Sequence, residues 1–189
     1  MSVFARHNLV SLDEYLAAER SSPLRYEFCD GQVFLMAGGS PRHNFLETRL
    51  LQLIGSALTD SSRFAMTSNQ RLSTADELYT YADGSIFCGD LEVGEDQTAT
   101  NPVVVIEVLS DSTRDYDRGE KLRRYQTIPS LRHVVLLEQD AIDVEVWTRT
   151  DAGWQRCVYV DDQDEVTLSG IGVVLRAGDI YEGAFRLPN

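Results

Sequence analysis

Residues that build cross-linked or metal-stapled folds are scarce in this chain, which has three cysteines and three histidines among 189 residues. Cys29, Cys88 and Cys157 lie far apart and form no Cys-x-x-Cys pair. The sequence therefore indicates neither a disulfide framework nor a structural zinc site. It predicts three buried free thiols, which is the usual position of an unpaired cysteine.

Long apolar runs are also missing. No stretch approaches the roughly 20 apolar residues that a helix needs to cross a bilayer. The N-terminal stretch MSVFARHNLV lacks the apolar segment of a signal peptide. We therefore expect a cytoplasmic protein without a membrane partner.

Positive charge is the third shortage, because 17 Lys and Arg residues face 30 Asp and Glu residues, a formal net charge of -13. Proteins that bind nucleic acids usually present a basic surface to the phosphates. The total charge weakens such a function without excluding it. One local basic cluster holds Arg118, Arg123 and Arg124, which could contact a phosphate backbone or balance neighbouring acids.

The length and the hydrophobic content of 43% are typical of one globular domain. We expect a single domain over residues 1–189, with an N-terminal arm over about residues 1–10. The fold class predicted from periodicity and turn residues is α/β or α+β, with a mixed central sheet flanked by helices and additional β-hairpins. The predicted helices span about 11–20, 41–59 and 115–127, and the predicted strands include a hairpin turning at Asp30-Gly31, segments near 64–73, 78–88, 102–109 and 133–139, a hairpin turning at Asp151, and short strands near 165–175.

One carboxylate stands out in the stretch NPVVVIEVLSDST, where Glu107 lies inside an apolar run. Such a run predicts a strand that is covered on both faces. An ionised carboxylate there costs several kcal/mol unless it is paired or binds a metal. Asp83 lies within the preceding predicted strand, and the chain between them is long enough to make the two strands neighbours. Adjacent carboxylates repel each other, which raises a pKa or recruits Mg²⁺ or Mn²⁺.

Lys121 is the third candidate, near the start of the helix that follows the Glu107 strand. An ammonium group there could orient an attacking water or stabilise charge that develops on a phosphate. Simpler interpretations are also compatible with the residues. Glu107 could be a paired structural carboxylate, Asp83 could be a turn residue, and Lys121 could pair with Asp117 on a solvated helix face.

The ordered motifs of the chain resemble those of the Uma-type putative restriction endonuclease family, a branch of the PD-(D/E)XK nuclease superfamily. The resemblance covers about residues 11–184. Its signature is Glu-Val-Leu-Ser at 107–110, Asp-x-Gly-x-Lys at 117–121 and Tyr125, together with Glu27, Asp30-Gly31, Met36 and His43 upstream. The chain departs from the family pattern at one point, since Ala82-Asp83 replaces the usual Pro-Asp.

The resemblance implies a restriction-endonuclease-like core in which Asp83 and Glu107 bind a divalent metal, Mg²⁺ or Mn²⁺. The backbone carbonyl of Val108 is expected to add a ligand. The lysine of a standard Glu-x-Lys motif would fall at Leu109, and the resemblance instead assigns that role to Lys121. The residues that it suggests for the surrounding cleft are Glu27, His43 and Tyr125.

Two functions of different classes follow from these observations. The first is a Mg²⁺-dependent endonuclease that hydrolyses phosphodiester bonds, with DNA favoured over RNA as its partner and a homodimer expected for cutting both strands. The second is a catalytically inactive module that keeps the nuclease fold and binds nucleic acid or protein. A third interpretation, a purely structural domain, predicts that Asp83, Glu107 and Lys121 do not share a cleft.

Overall fold

A computed structural model describes residues 9–36, 38–58 and 62–189. Most of the predicted N-terminal arm, and residue 59 at the end of the second predicted helix, lie outside these ranges. The helices are α1 (Leu12–Ser21), α2 (Pro41–Ala57), α3 (Arg114–Tyr116), α4 (Leu122–Tyr125) and α5 (Ala177–Tyr181), and a π-helical turn over Asp117–Lys121 joins α3 to α4. The strands are β1 (Tyr26–Cys29), β2 (Gln32–Leu35), β3 (Arg63–Thr67), β4 (Leu72–Ser73), β5 (Tyr79–Thr80), β6 (Gly84–Cys88), β7 (Val104–Val108), β8 (His133–Leu137), β9 (Val144–Thr150), β10 (Gly153–Tyr159), β11 (Glu165–Leu168) and β12 (Val173–Arg176).

A six-stranded mixed sheet forms the centre, in the order β10-β9-β8-β7-β6-β3. Strands β7 and β8 are parallel, and the other neighbouring pairs in this sheet are antiparallel. A second sheet has the order β2-β1-β5-β4, and β11 pairs with β12. This mixed sheet with flanking helices confirms the predicted fold class. The described helices include none with the length and apolar character needed to cross a bilayer.

Both faces of β7 are covered, which explains its unbroken apolar sequence. One face packs against α2 through a core that includes Val104, Ile106 and Val108. The other face packs against α4 through a core that includes Val105 and Leu109. Because side chains alternate along a strand, Glu107 lies on the α4 face of the sheet.

Two local predictions agree closely with the structure. Helix α1 begins after Ser11 with a capping box, in which the hydroxyl of Ser11 accepts from the amide of Glu14 and the Glu14 carboxylate accepts from the amide of Ser11. The hairpin of β1 and β2 turns at Asp30 and Gly31, whose φ angles are 49° and 76°. Positive φ at both central positions is the requirement of a type I′ turn.

The predicted continuous strands near 64–73 and 78–88 are wrong in detail, because each is broken in two. Strands β4 and β5 join the second sheet, whereas β3 and β6 join the central one. Asp83, which the sequence places within a predicted strand, therefore lies just before β6 instead. Here the Asp83 carboxylate accepts a hydrogen bond from the backbone N–H of Val108 at 2.7 Å.

The prediction of three buried thiols is correct only for Cys29. Cys88 is half-buried and Cys157 is exposed. Cys157 lies on β10, an edge strand of the central sheet, where an outward side chain faces solvent. The alternation of apolar and polar residues in the hairpin does not indicate which of its two faces is covered.

Buried His133 provides a pH-dependent element of stability. Its Nδ1 lies 3.0 Å from the hydroxyl of Thr148, and its Nε2 accepts from the amide of Gly170 at 2.8 Å. Burial lowers the pKa of His133 to about 4. The unfolded chain binds this proton near pH 6.5. The contribution of His133 to the free energy of unfolding is therefore fully present above that pH and is lost as the pH falls toward 4.

We expect His133 to cost the wild type up to roughly 2 kcal/mol of unfolding free energy between pH 7 and pH 4.5. Urea unfolding of the wild type and of His133→Gln at several pH values measures this. The difference between the two proteins should shrink as the pH falls, which separates His133 from the carboxylates that both proteins share. A difference that is constant with pH would contradict the assignment.

Candidate active site

A cleft of about 820 Å³ opens between the β1–β2 hairpin, the beginning of α2 and the loop that follows β7. Asp83, Glu107 and Lys121 all line it, and Glu27 and His43 line it as well. The purely structural interpretation predicted that the first three would not share a cleft. Because Asp83, Glu107 and Lys121 do share a cleft, this cleft is the candidate active site.

The register of the central sheet brings the two acids together. Strands β6 and β7 are antiparallel, with Gly84 opposite Ile106. Asp83 and Glu107 are the next residues in each direction, so they lie side by side where the pairing ends. Asp83 is held there by the N–H of Val108. The predicted neighbourhood of these two strands is therefore confirmed.

Lys121 occupies the centre of a buried charge cluster. Its Nζ lies 2.8 Å from Oε1 of Glu107 and 3.1 Å from Oε1 of Glu27. Asp117 is farther away, at 3.8 Å from the same nitrogen. Since Lys121 is only 5% exposed, the alternative of a solvated Lys121–Asp117 pair does not describe this helix.

The segment that carries Lys121 is not a regular α-helix. The π-helical turn Asp117–Lys121 interrupts it, and both end residues of the turn are buried and line the cleft. Such turns are uncommon and occur frequently at functional sites. The sequence predicted a continuous helix over 115–127, because periodicity does not reveal a single-residue bulge.

A second group of possible ligands lies beside Asp83. His43, Glu47 and Asp83 place one ligand atom each within 4.8 Å of one another. Nε2 of His43 lies 3.0 Å from Oδ1 of Asp83. Glu47 accepts from the hydroxyl of Ser68 at 3.1 Å. One imidazole nitrogen and two carboxylates form a donor set that suits a divalent cation.

The beginning of α2 positions His43. Ser40 caps the helix by accepting from the N–H of His43 at 3.1 Å, and Pro41 occupies the first helical position. Gly39 lies directly against the imidazole, since a Cβ atom there would come within 2.5 Å of the ring. The sequence Gly-Ser-Pro therefore starts the helix and leaves room for the ring.

The cleft carries a large excess of negative charge. Among its described lining residues are six acids and two permanent cations, which are Glu27, Glu47, Asp83, Glu107, Asp111, Asp117, Arg25 and Lys121. Three of these acids have raised pKa values. This excess is the electrostatic condition under which a site recruits a cation.

The causes of the raised pKa values are burial and mutual repulsion. Burial raises the pKa of Glu107, and the charges of Asp83 and Asp117 raise it further, although Lys121 opposes them. Burial and Asp83 likewise raise the pKa of Glu47. For Asp117, burial is again the largest cause, and Lys121 opposes it.

The pKa values of the two basic groups of the site are raised as well, but here the neighbouring carboxylates cause the shift and burial opposes it. Burial disfavours the charged form of His43, but its hydrogen bond to Asp83 and the charges of Asp83 and Glu47 outweigh burial and raise its pKa. Burial also opposes the charge of Lys121, and Glu107 and Glu27 outweigh it, so that the pKa of Lys121 rises. Lys121 is therefore cationic at neutral pH.

Tyr125, which the resemblance suggests for the cleft, is not among the described residues that line the cleft and is buried in the core instead. It is 1% exposed and donates from its hydroxyl to Oε1 of Glu107 at 2.5 Å. The helix turns this ring into the core on the α4 face of the sheet. Tyr125 therefore orients Glu107 from within the protein.

The residues of the basic cluster, which could contact phosphate or balance neighbouring acids, form ion pairs with acids of this chain. Arg118 pairs with Glu138, and Arg123 and Arg124 both pair with Glu120. Arg124 is buried. These pairs match the interpretation in which the cluster balances neighbouring acids.

Glu47 is the site residue that sequence reasoning missed. It follows His43 by four positions on α2, so the two side chains lie on one face of the helix. That spacing was a usable signal. Asp117 entered only as part of the family signature and as the partner of Lys121, because nothing in the sequence shows that the helix buries it.

Comparison with known proteins identifies one family, two relatives and one solved structure. Residues 12–177 match the profile of the family described as "Uma2: Putative restriction endonuclease". The chain is 30% identical over 175 residues to the uncharacterized protein slr1290 of Synechocystis sp. (strain ATCC 27184 / PCC 6803 / Kazusa), covering 92% of each chain. It is 29% identical over 173 residues to the uncharacterized protein sll1609 of the same organism, covering 89% of this chain and 98% of the relative.

A solved structure shares the fold. The crystal structure of a putative nuclease belonging to DUF820 from Anabaena variabilis ATCC 29413 superposes with a TM-score of 0.75 at 16% sequence identity. The superposition covers 93% of this chain and 99% of that one. At this identity the similarity is one of architecture.

Proposed function

Because the chain belongs to the Uma2 family of putative restriction endonucleases, we propose that it is a divalent-metal-dependent nuclease that hydrolyses phosphodiester bonds, with DNA as substrate. The family description supports nuclease activity, and the convergence of Asp83, Glu107 and Lys121 in one cleft carries the proposal. Mg²⁺ or Mn²⁺ is the proposed cofactor. Their preference for oxygen ligands matches the acids of the cleft.

The residues present fit such an ion. The carboxylates of Asp83 and Glu107, which line the same cleft, are the proposed ligands, and the carbonyl of Val108 is a proposed third. Glu47 and His43 offer further donors within reach of Asp83. The Nε2 atom of His43 faces Asp83, and its Nδ1 atom is buried without a hydrogen-bond partner among the described residues. When bound, a divalent ion polarises the scissile phosphate and lowers the pKa of an attacking water.

Lys121 has a defined task in this arrangement. An ammonium group has three N–H donors, and Glu107 and Glu27 accept two of them. The third is available to a water molecule or to a phosphate oxygen at the cleft. We assign Lys121 the role of orienting the attacking water and of stabilising negative charge on the phosphate.

Several contacts hold the proposed catalytic groups in place. The N–H of Val108 and the ring of His43 fix the Asp83 carboxylate. The hydroxyl of Tyr125 fixes Glu107, and that of Thr80 donates to Glu27. Because these partners restrict the side chains before substrate arrives, little reorganisation is needed during the reaction.

The alternative is a nuclease-fold module that binds nucleic acid or protein without cutting it. The net charge of -13 favours this alternative, because it weakens attraction to a polyanion. The intact set of acids and lysine favours catalysis. The two functions differ in whether the cleft binds a divalent ion and in whether the bound ion supports turnover.

A plasmid-nicking assay across divalent metals tests the proposal, with calorimetric titration of Mg²⁺ and Mn²⁺ beside it. We expect supercoiled plasmid to be converted to the nicked form with Mn²⁺ or Mg²⁺ and to remain intact with EDTA. Lys121→Arg, which keeps the charge but not the shape of the ammonium, serves as a control against a contaminating nuclease. Ion binding without cleavage would favour the inactive module. The absence of both ion binding and cleavage would refute the metal site.

A further inference from the structure

The β1–β2 hairpin presents two different faces. Side chains alternate across a strand pair, so Phe28 and Val33 lie on one face, and Glu27 and its cross-strand partner Phe34 lie on the other. The first face packs against α1 through Tyr15. The second lines the cleft, so the hairpin forms one wall of the site.

That wall is apolar and unusually uncovered. Phe34 and Met36 line the cleft and are only half-buried. Neither belongs to the three apolar cores formed within residues 9–36, 38–58 and 62–189. Leu24, at the same wall, is 52% exposed. An aromatic ring that faces a proposed phosphodiester site can stack on a base.

The charges of the cleft limit what can bind it. A duplex is held mainly by many cationic contacts to its phosphates. Of the two cations that line the described cleft, Lys121 is buried between Glu27 and Glu107, which leaves Arg25 as the exposed one. The guanidinium of Arg25 donates to the carbonyl of Ser68 at 2.8 Å and lies over the ring of Tyr81.

The size of the cleft also limits what can bind in it. A volume of about 820 Å³ is that of a site enclosing a small ligand. It accommodates a short piece of one strand with its bases turned out of the stack. The loop after β7 contributes hydroxyl groups from Ser110, Ser112 and Thr113 to the lining of the cleft, and these groups suit contacts to phosphate and sugar.

We propose that the cleft takes a single unpaired nucleic-acid strand, whose bases pack on Phe34 and Met36 while Arg25 holds a phosphate. This inference rests on the proposed nuclease function and narrows its substrate. Proteins that bind single strands combine cationic contacts to the backbone with stacking of bases on aromatic side chains, and Arg25 and Phe34 would supply these two contacts here. With such a substrate one copy of the site suffices, and the homodimer expected for cutting both strands is not required.

The test compares three substrates with Mn²⁺: a labelled single-stranded DNA oligonucleotide, the same oligonucleotide annealed to its complement, and bis(p-nitrophenyl) phosphate. We expect kcat/KM to be at least roughly tenfold higher for the single strand than for the duplex. Phe34→Ala should lower the ratio of single-strand to small-diester kcat/KM by roughly tenfold, mainly through KM, and Phe34→Trp should restore it. Val160→Ala, an exposed apolar change on another surface, is the matched control and should leave that ratio unchanged.

The outcomes separate the two proposals. Hydrolysis of the small diester together with equal or better cleavage of the duplex would refute the single-strand inference and leave the nuclease function standing. Failure on every substrate would refute the nuclease function. In that case fluorescence anisotropy of the two labelled DNAs with Ca²⁺ still decides the inference, because tighter binding of the single strand supports it and equal or weaker binding refutes it.

Discussion

Asp83→Asn is expected to lower metal-dependent cleavage by at least roughly a hundredfold while the protein stays folded. The substitution removes a charge from the position where β6 and β7 bring two carboxylates together. The amide oxygen of asparagine can still accept from the N–H of Val108, as the carboxylate does at 2.7 Å. The structural contact therefore survives and the charge does not. Plasmid nicking with Mn²⁺ and calorimetric ion titration measure the two losses.

Asp115→Asn is the matched control for this change. Asp115 is exposed on α3 and does not line the cleft. The same chemical change at that position should leave both cleavage and ion binding near wild-type values. Undiminished cleavage by Asp83→Asn, with the circular dichroism spectrum of the wild type, would remove Asp83 from the proposed site.

Lys121→Met is expected to lower the free energy of unfolding by about 3 to 5 kcal/mol at neutral pH, and to abolish detectable cleavage. Lys121 is 5% exposed and contacts two carboxylates, Glu107 and Glu27. Removing it leaves those charges buried without their cation. Methionine fills a similar volume, so the loss reports charge more than packing. Urea unfolding by intrinsic fluorescence measures the stability.

The stability of Lys121→Met is expected to depend on pH in a defined direction. Burial, Asp83 and Asp117 raise the pKa of Glu107, and Lys121 is the group that opposes them. Without the lysine, the folded-state pKa of Glu107 lies still farther above its unfolded value. The stability deficit of the variant relative to the wild type should therefore be smallest at low pH and grow as the pH rises from the unfolded-state pKa of Glu107 through its folded-state pKa. A deficit that does not change with pH would mean that lost packing is the cause.

An exposed ion pair provides the comparison for Lys121→Met. Arg20 is 60% exposed in its pair with Asp96. Arg20→Met should change the unfolding free energy by less than about 1 kcal/mol, because exposed pairs contribute little. A similar loss in both variants would show that the burial of Lys121 has no special energetic effect.

Local signals in the sequence predict much of this fold. Ser11 with Glu14 fixes the beginning of α1, and Asp30-Gly31 fixes the turn of the first hairpin. The apolar run around Glu107 identifies a strand covered on both faces. Each of these features depends on residues that are close in the chain, so its physics can be read without knowing the fold.

The parts that the sequence does not reveal depend on distant contacts. The break before β6 depends on the amide of Val108, which lies 25 positions from Asp83. The half-buried position of Phe34 at the cleft depends on which face of the hairpin α1 covers. Alternation alone shows that the hairpin has two faces. It does not show that one of them will remain open as the wall of a cleft.

The candidate site was predictable in its main members and not in its environment. Motif order singled out Asp83, Glu107 and Lys121, and the structure places all three in one cleft. The spacing of His43 and Glu47 places both on one face of α2, but the approach of Glu47 to Asp83 and the burial of Asp117 require the packing of α2 and the π-helical turn against the sheet. Long-range packing decides both.

The core position of Leu109 has a consequence for how this site can evolve. In the standard motif the lysine would stand at this position, but here Leu109 is fully buried in the same apolar core as Leu122 and Tyr125. Moving the lysine back to the strand would place an ammonium group in that core and remove a packed side chain at the same time. Losing Lys121 first would leave Glu107 and Glu27 uncompensated. Each of these single substitutions is therefore expected to lower the free energy of unfolding, because each leaves charge buried without a partner.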